Sequence, residues 1–344
     1  MRWVFRFFVA GIFVLIAAVG AELLLAIVAP KPPATLPQML PYREFTKQYL
    51  HPFYFFFFPR DEAQIAAINN SVVSIDGRGF RGALPEDRGD KKLAFIIGGS
   101  TAFGHGASSN DTTISGYLNK QQDEYLFVNA GVPSFVSSQE FTRVATELLD
   151  YRPDLIIALD GFNDAVTAHG FAVHNLPYPP GTNESYEGLA QRFDNIREQK
   201  LVTINKSRLS KYLFFRVRQK IKKLFSGSSD NGQVVAELPP SMQSQASDAA
   251  KAYLENLALI KDLSEKRGAG FVAFFQPARI TDYPQRKEFL NFFRSKAGEH
   301  KAAEMKLVDL SWLSDREDIF LDSVHLTDEG SRNIAQEIMK NLAD

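Results

Sequence analysis

The hydrophobic pattern divides the 344-residue chain into an apolar N-terminal run, a proline- and aromatic-rich stretch, and a long region where short apolar runs alternate with amphipathic segments. Phe7 to Val28 is apolar apart from Glu22. At a rise of 1.5 Å per residue, a helix over that run spans roughly 33 Å, enough to cross a bilayer core. Arg2 and Arg6 precede it and only Lys31 follows closely. That bias places the N-terminus in the cytoplasm and the body across the membrane, in the periplasm or outside the cell. Ala18, Gly20 and Ala21 also resemble a signal-peptide cleavage site, the rival reading, but the apolar run continues past them, which favours an uncleaved anchor.

Pro30, Pro32, Pro33, Pro37 and Pro41 follow, and a backbone locked this often predicts a semi-rigid stalk. The run from His51 to Pro59, with Phe53, Tyr54, Phe55, Phe56, Phe57 and Phe58 inside it, suits a membrane interface or, preferably, packing under the main domain. From residue 92 the pattern alternates. Leu93–Ile97, Tyr125–Asn129, Leu155–Leu159 and Gly270–Phe275 read as buried strands, with Lys306–Asp309 as a fifth. Helices are predicted from about Asp111, over Ser137–Leu149, over about Ser247–Lys266, and from an N-cap at Thr327. This βαβα order predicts a parallel sheet with helices on both faces.

Three regions result: 1–29 as cytoplasmic tip and transmembrane anchor, 30–90 as stalk and entry segment, and 91–344 as the body, interrupted by an excursion at about 165–242. Within the excursion, Lys206–Phe225 reads as a basic amphipathic helix, suited to anionic lipid, to an anionic substrate, or simply to packing on the body.

Composition narrows the chemistry. Lys and Arg total 39 against 40 Asp and Glu, a formal net charge of -1, so no global charge argues for a nucleic-acid partner. With no cysteine there is no disulfide, thiol catalysis or cysteine metal site. His51, His105, His169, His174 and His300 lack paired metal-ligand spacing and read as structural or surface residues, although His105 is close enough in sequence to line a pocket.

The chemistry gathers at predicted strand ends. The first buried strand runs into Gly98-Gly99-Ser100-Thr101, a tight turn that presents the Ser100 hydroxyl where α/β sheets collect reactive groups. Asp322 precedes His325 by three residues, a spacing at which a carboxylate can orient an imidazole by its Nδ1 proton and leave Nε2 to take a proton from Ser100. Gly131 and Asn163 close the second and third strands. With the N–H of Ser100 they offer three donors to an oxyanion. Each feature also has a plain structural reading: a turn at Gly131, a helix cap at Asn163, a helix start at Asp322.

Together, Gly98-Gly99-Ser100, Gly131, Gly161-x-Asn163-Asp164 and Asp322-x-x-His325 resemble, in order, the motif blocks of the SGNH, or GDSL-like, hydrolases, with Gly99 where the GDSL form has aspartate. The resemblance covers about residues 91–343. It implies a three-layer α/β/α flavodoxin-like sandwich, with Ser100 as nucleophile, His325 as base, Asp322 as its orienting partner, and Ser100, Gly131 and Asn163 as oxyanion donors. No metal or organic cofactor is implied. The expected function is a membrane-anchored serine esterase acting on an O-acyl ester, of a cell-envelope glycan by analogy. An O-acetyltransferase of an exported polysaccharide with the same residues, and a non-catalytic envelope-assembly or glycan-binding protein, are the alternatives.

Overall fold

The computed structural model describes residues 36–173 and 237–343, save positions 48, 282 and 300–304, together with separate positions among residues 3–20. Those from residue 36 onward belong to one compact unit, Leu36–Gln191 with Val235–Asp344. Among the described residues no helix is long and apolar enough to cross a membrane. The predicted span Phe7–Val28 lies largely outside them, and the basic helix Lys206–Phe225 entirely so.

The unit opens with a 3-10 helix, Pro37–Tyr42, followed by an antiparallel hairpin, β1 (Tyr49–His51) and β2 (Phe55–Phe57), and a short helix α1 (Glu62–Ile68). Tyr42, Phe45, Tyr54, Phe56, Phe57 and Phe58 are each at most 3% exposed and cluster with Phe103 and Phe135 of the main domain. The aromatic run is therefore core, and only Phe53 among its phenylalanines is fully exposed, at 70%. A membrane-interface seat for the run is excluded by this burial. From residue 36 on, the segment assigned to a stalk is part of the body.

The chain continues through β3 (Lys92–Gly98), α2 (Ser100–Phe103), α3 (Ile114–Gln121), β4 (Tyr125–Asn129), α4 (Ser137–Thr146), β5 (Leu155–Asp160) and α5 (Phe162–Val173). After the excursion come α6 (Pro240–Lys266), β6 (Gly270–Phe275), α7 (Pro284–Glu299), β7 (Leu307–Asp309) and α8 (Asp328–Ala343). The five strands β3 to β7 form one parallel sheet in the order β4-β3-β5-β6-β7. Strand alternation sends Leu93, Phe95 and Ile97 to the face covered by α4, α5, α6 and α7, and Ala94 and Ile96 to the face covered by α3 and α8. Both faces are buried, which is why the strands read as continuous apolar runs.

Differences from the pattern are local. The helix expected from Asp111 starts at Ile114, because Thr113 is the N-cap and its hydroxyl accepts from the Gly116 N–H. The excursion narrows at both ends. Small residues Ala165, Ala168 and Ala172 let α5 pack down to Val173, and Pro240, whose fixed φ suits a first helical turn, starts α6 seven residues before Ser247. Helix α7 was not anticipated; its polar surface hides a buried stripe of Phe289, Leu290, Phe293 and Ala297.

Candidate active site

The strand order reverses at β3 and β5, and their carboxyl ends border the crevice that such a reversal opens. Gly98 makes the exit from β3 with φ +143°, and a Cβ there would stand 2.2 Å from the Leu159 carbonyl oxygen of β5. Only glycine fits, and the turn it permits puts Ser100 at the first position of α2.

Ser100 Oγ lies 2.9 Å from His325 Nε2, across 225 positions of sequence. His325 Nδ1 lies 2.7 Å from Asp322 Oδ2. The other carboxylate oxygen, Oδ1, accepts from the backbone N–H groups of Val324 at 2.9 Å and His325 at 2.8 Å. Burial acts to raise the Asp322 pKa, but the His325 ring and these N–H groups outweigh it and hold the carboxyl down at about 2. With Asp322 ionised, Nδ1 is the protonated ring nitrogen and Nε2 the acceptor facing Ser100. Thr101 locks the arrangement. Its hydroxyl donates to the Val324 carbonyl at 3.3 Å and accepts from Gln276 Nε2 at 3.0 Å, so the end of β6 ties the serine helix to the histidine turn.

The three expected oxyanion donors stand differently. Asn163 Nδ2 donates to the Phe135 carbonyl at 2.7 Å, leaving its second amide hydrogen, and it overhangs Gly99 so closely that a Cβ there would meet it at 2.3 Å. This is the physical reason for glycine at 99. Gly99→Ala is expected to displace the Asn163 amide and lower kcat at least about tenfold, with little loss of stability because the obstructing atom ends a flexible side chain. An unchanged kcat would show that Asn163 is not needed at this position. The Gly131 N–H, by contrast, is given a partner within the chain: it donates to Asn129 Oδ1 at 3.1 Å.

Asn129 was not singled out from sequence. Besides holding Gly131, its Nδ2 donates to the Ala102 carbonyl at 3.0 Å, joining the end of β4 to α2. Arg81 is likewise unmarked in the sequence. It is 4% exposed and reaches the Phe103 and Gly104 carbonyls with Nη1 at 2.9 and 2.6 Å, satisfying orphan acceptors at the end of α2. His105 does line the site. Its ring centroid is 4.6 Å from that of His325 and 4.5 Å from that of Tyr42, and burial, with the neighbouring His325 ring, pushes its pKa down to about 3. It is a neutral wall for the imidazole.

Behind Asn163 lies a buried acidic group. Asp160 ends β5, Asp164 lies in the first turn of α5, Glu140 comes from α4, and Tyr253 of α6 donates to Asp160 Oδ1 at 2.5 Å. Asp164 accepts from the Ser137 hydroxyl at 2.6 Å and N–H at 3.2 Å, but burial and the Asp160 charge still push it up to about 7. Burial, followed by the charge of Asp160, raises Glu140 well above the carboxylate range, and no protein donor reaches either of its oxygens. Burial raises Asp160 as well, so the group favours the protonated form of its carboxyls. Among the described residues no group of three or more His, Cys, Asp or Glu is placed to hold a metal ion.

No protein-family model matches the sequence, and no curated protein matches it. Among solved structures, the chain is similar to an acetyl xylan esterase at 15% identity, covering 72% of this chain and 98% of that one, with a TM-score of 0.37. It is also similar to a lipase from a goat rumen metagenome at 8% identity, covering 73% and 97%, TM-score 0.44. A GDSL-like lipase from Bacteroides thetaiotaomicron is 11% identical, covering 73% and 87%, TM-score 0.37. Identities this low, with TM-scores under 0.5, transfer no activity to this chain.

Proposed function

We propose that the chain is a serine esterase that cleaves an O-acyl ester through an acyl-serine intermediate. The observation that carries this reading is the continuous hydrogen-bonded path from Ser100 through His325 to Asp322. Ser100 Oγ attacks the ester carbonyl carbon while its proton passes to His325 Nε2, and Asp322 steadies the imidazolium. The oxyanion is received by the Ser100 N–H and the Asn163 amide, and Gly131, held by Asn129, borders the hole. The carbon–oxygen bond to the leaving alcohol then breaks, and Nε2 protonates that alcohol. Water repeats the sequence on the acyl-serine: its proton goes to Nε2, the carboxylic acid leaves, and Ser100 Oγ regains its proton.

The apolar run Phe7–Val28 and the preceding Arg2 and Arg6 support an N-terminal anchor with the esterase body on the extracytoplasmic side. An O-acylated envelope glycan is the substrate class that suits this placement. A fluorophosphonate probe tests the central claim. The expected result is a stable adduct at Ser100, absent from Ser100→Ala and from protein whose serine has first reacted with an ester inhibitor. An intact, folded chain that takes no label would refute the esterase.

A further inference from the structure

Next to the triad is a groove of about 310 Å³, lined among others by Arg279, Tyr283, Arg286, Glu317, Phe320 and Asp322. That is the lower end of the roughly 300–1,000 Å³ typical of small-molecule sites. Its position relative to the chemistry follows from the proton path. The group that leaves Ser100 must take its proton from His325 Nε2, so the alcohol half of an ester lies on the histidine side of the serine. The groove borders the histidine turn, since Asp322 and Ser323, which begin that turn, form part of its wall. The Arg279 N–H donates to the Ser323 carbonyl at 2.7 Å, fixing this arginine's backbone to the same turn.

The lining has the chemistry of an anion site with aromatic walls. Arg279 Nη2 is 3.1 Å from Glu317 Oε1, but Glu317 is 79% exposed, so this pair is solvated and open to exchange. Arg286 has no ion-pair partner among the described residues, and its Nε is buried with no hydrogen-bond acceptor. Its guanidinium sits 4.7 Å from the centroid of the Tyr283 ring, which holds the fork in place at the groove. Carboxylate and phosphate are the groups that match a guanidinium fork. Tyr283, 60% exposed, and Phe320 offer faces on which a sugar ring can lie.

We propose that this groove binds an anionic group, carboxylate or phosphate, on the saccharide that carries the scissile ester, with Arg286 as its main contact and Arg279 as its second. The inference rests on the esterase reading for the direction of the alcohol, and it narrows that reading to acidic glycans. The test is calorimetric titration of the full chain with oligogalacturonate, with a phosphorylated mannose oligosaccharide and with a neutral xylo-oligosaccharide. One or both acidic saccharides are expected to bind at least about tenfold more tightly than the neutral one, with the advantage shrinking as salt is raised. In Arg286→Ala the ratio of acidic to neutral affinity is expected to fall towards one, and in Arg286→Lys to be partly kept. The two arms separate a carboxylate from a phosphate ligand.

Equal binding of all three saccharides by the wild-type chain overturns the proposal, as does a folded Arg286→Ala variant that keeps the acidic preference. Should the alanine variant fail to fold, the salt dependence of the wild-type chain decides. The parent reading fails separately: a chain that binds the acidic saccharide through Arg286 but neither hydrolyses p-nitrophenyl acetate nor takes a fluorophosphonate label has the groove without the esterase.

Discussion

Ser100→Ala is expected to lower kcat for p-nitrophenyl acetate by about 10⁴-fold or more, the scale of loss when a nucleophile is removed from a triad that acts as a unit. The thermal midpoint should stay close to that of the parent. The side chain of Ser100 bonds to His325, whereas the contacts that hold α2 in place belong to Thr101, Arg81 and Asn129. Activity and folding are thus separable at this position, and kcat measured on protein of unchanged midpoint is the check. A variant that retains kcat within tenfold would assign hydrolysis to some other group.

Asp322→Asn is expected to cost about 10³ to 10⁴ in kcat with little change in KM. The carboxylate accepts three hydrogen bonds, two from backbone N–H groups through Oδ1 and one from His325 Nδ1 through Oδ2. An asparagine oxygen can keep the backbone pair, but the amide nitrogen then faces Nδ1 as a donor. The ring is driven to the other tautomer, its proton sits on Nε2, and Ser100 loses its base. The pH dependence carries a sign. A folded pKa of about 2, below the ordinary aspartate value, means that Asp322 contributes stability above about pH 4. That contribution is lost as pH falls through its folded value. Acid unfolding of the asparagine variant should lack this component, and activity lost at mildly acid pH does not arise from Asp322. Wild-type kcat in the variant would make the carboxylate structural.

The residues of the proton path were legible because each is local: a glycine turn after an apolar run, and a carboxylate three positions before an imidazole. Their meeting was legible only as topology, since a parallel sheet with helices between strands brings successive strand ends to one rim. The supporting residues were not. Arg81, Asn129 and Gln276 owe their roles to carbonyls and hydroxyls contributed by distant segments, and nothing in their own neighbourhoods marks them, beyond a polar residue ending a buried strand at Asn129. The segment from residue 36 to 84 has no helical or strand period to read. Its aromatic excess pointed to burial but not to the back of the serine helix, where Phe103 receives it. The Gly131 donor was inferred from glycine's lack of a side chain, yet an N–H is free only if no neighbour claims it, and Asn129 does.

The carboxyls of Glu140, Asp160 and Asp164 make folding a hydrogen-ion uptake reaction. The native chain keeps protons that its unfolded form releases from about pH 4 upward. Their contribution to stability should therefore decline as pH climbs from there to about 7 for Asp164 and further for Glu140, opposite in sign to that of His105, whose depressed pKa makes its contribution grow as acid is withdrawn; the difference in urea midpoint between the wild-type chain and Asp164→Asn, followed across that interval, would show the fall. Alkali thus weakens the floor beneath Asn163. That floor is firmest while these carboxyls still hold their protons.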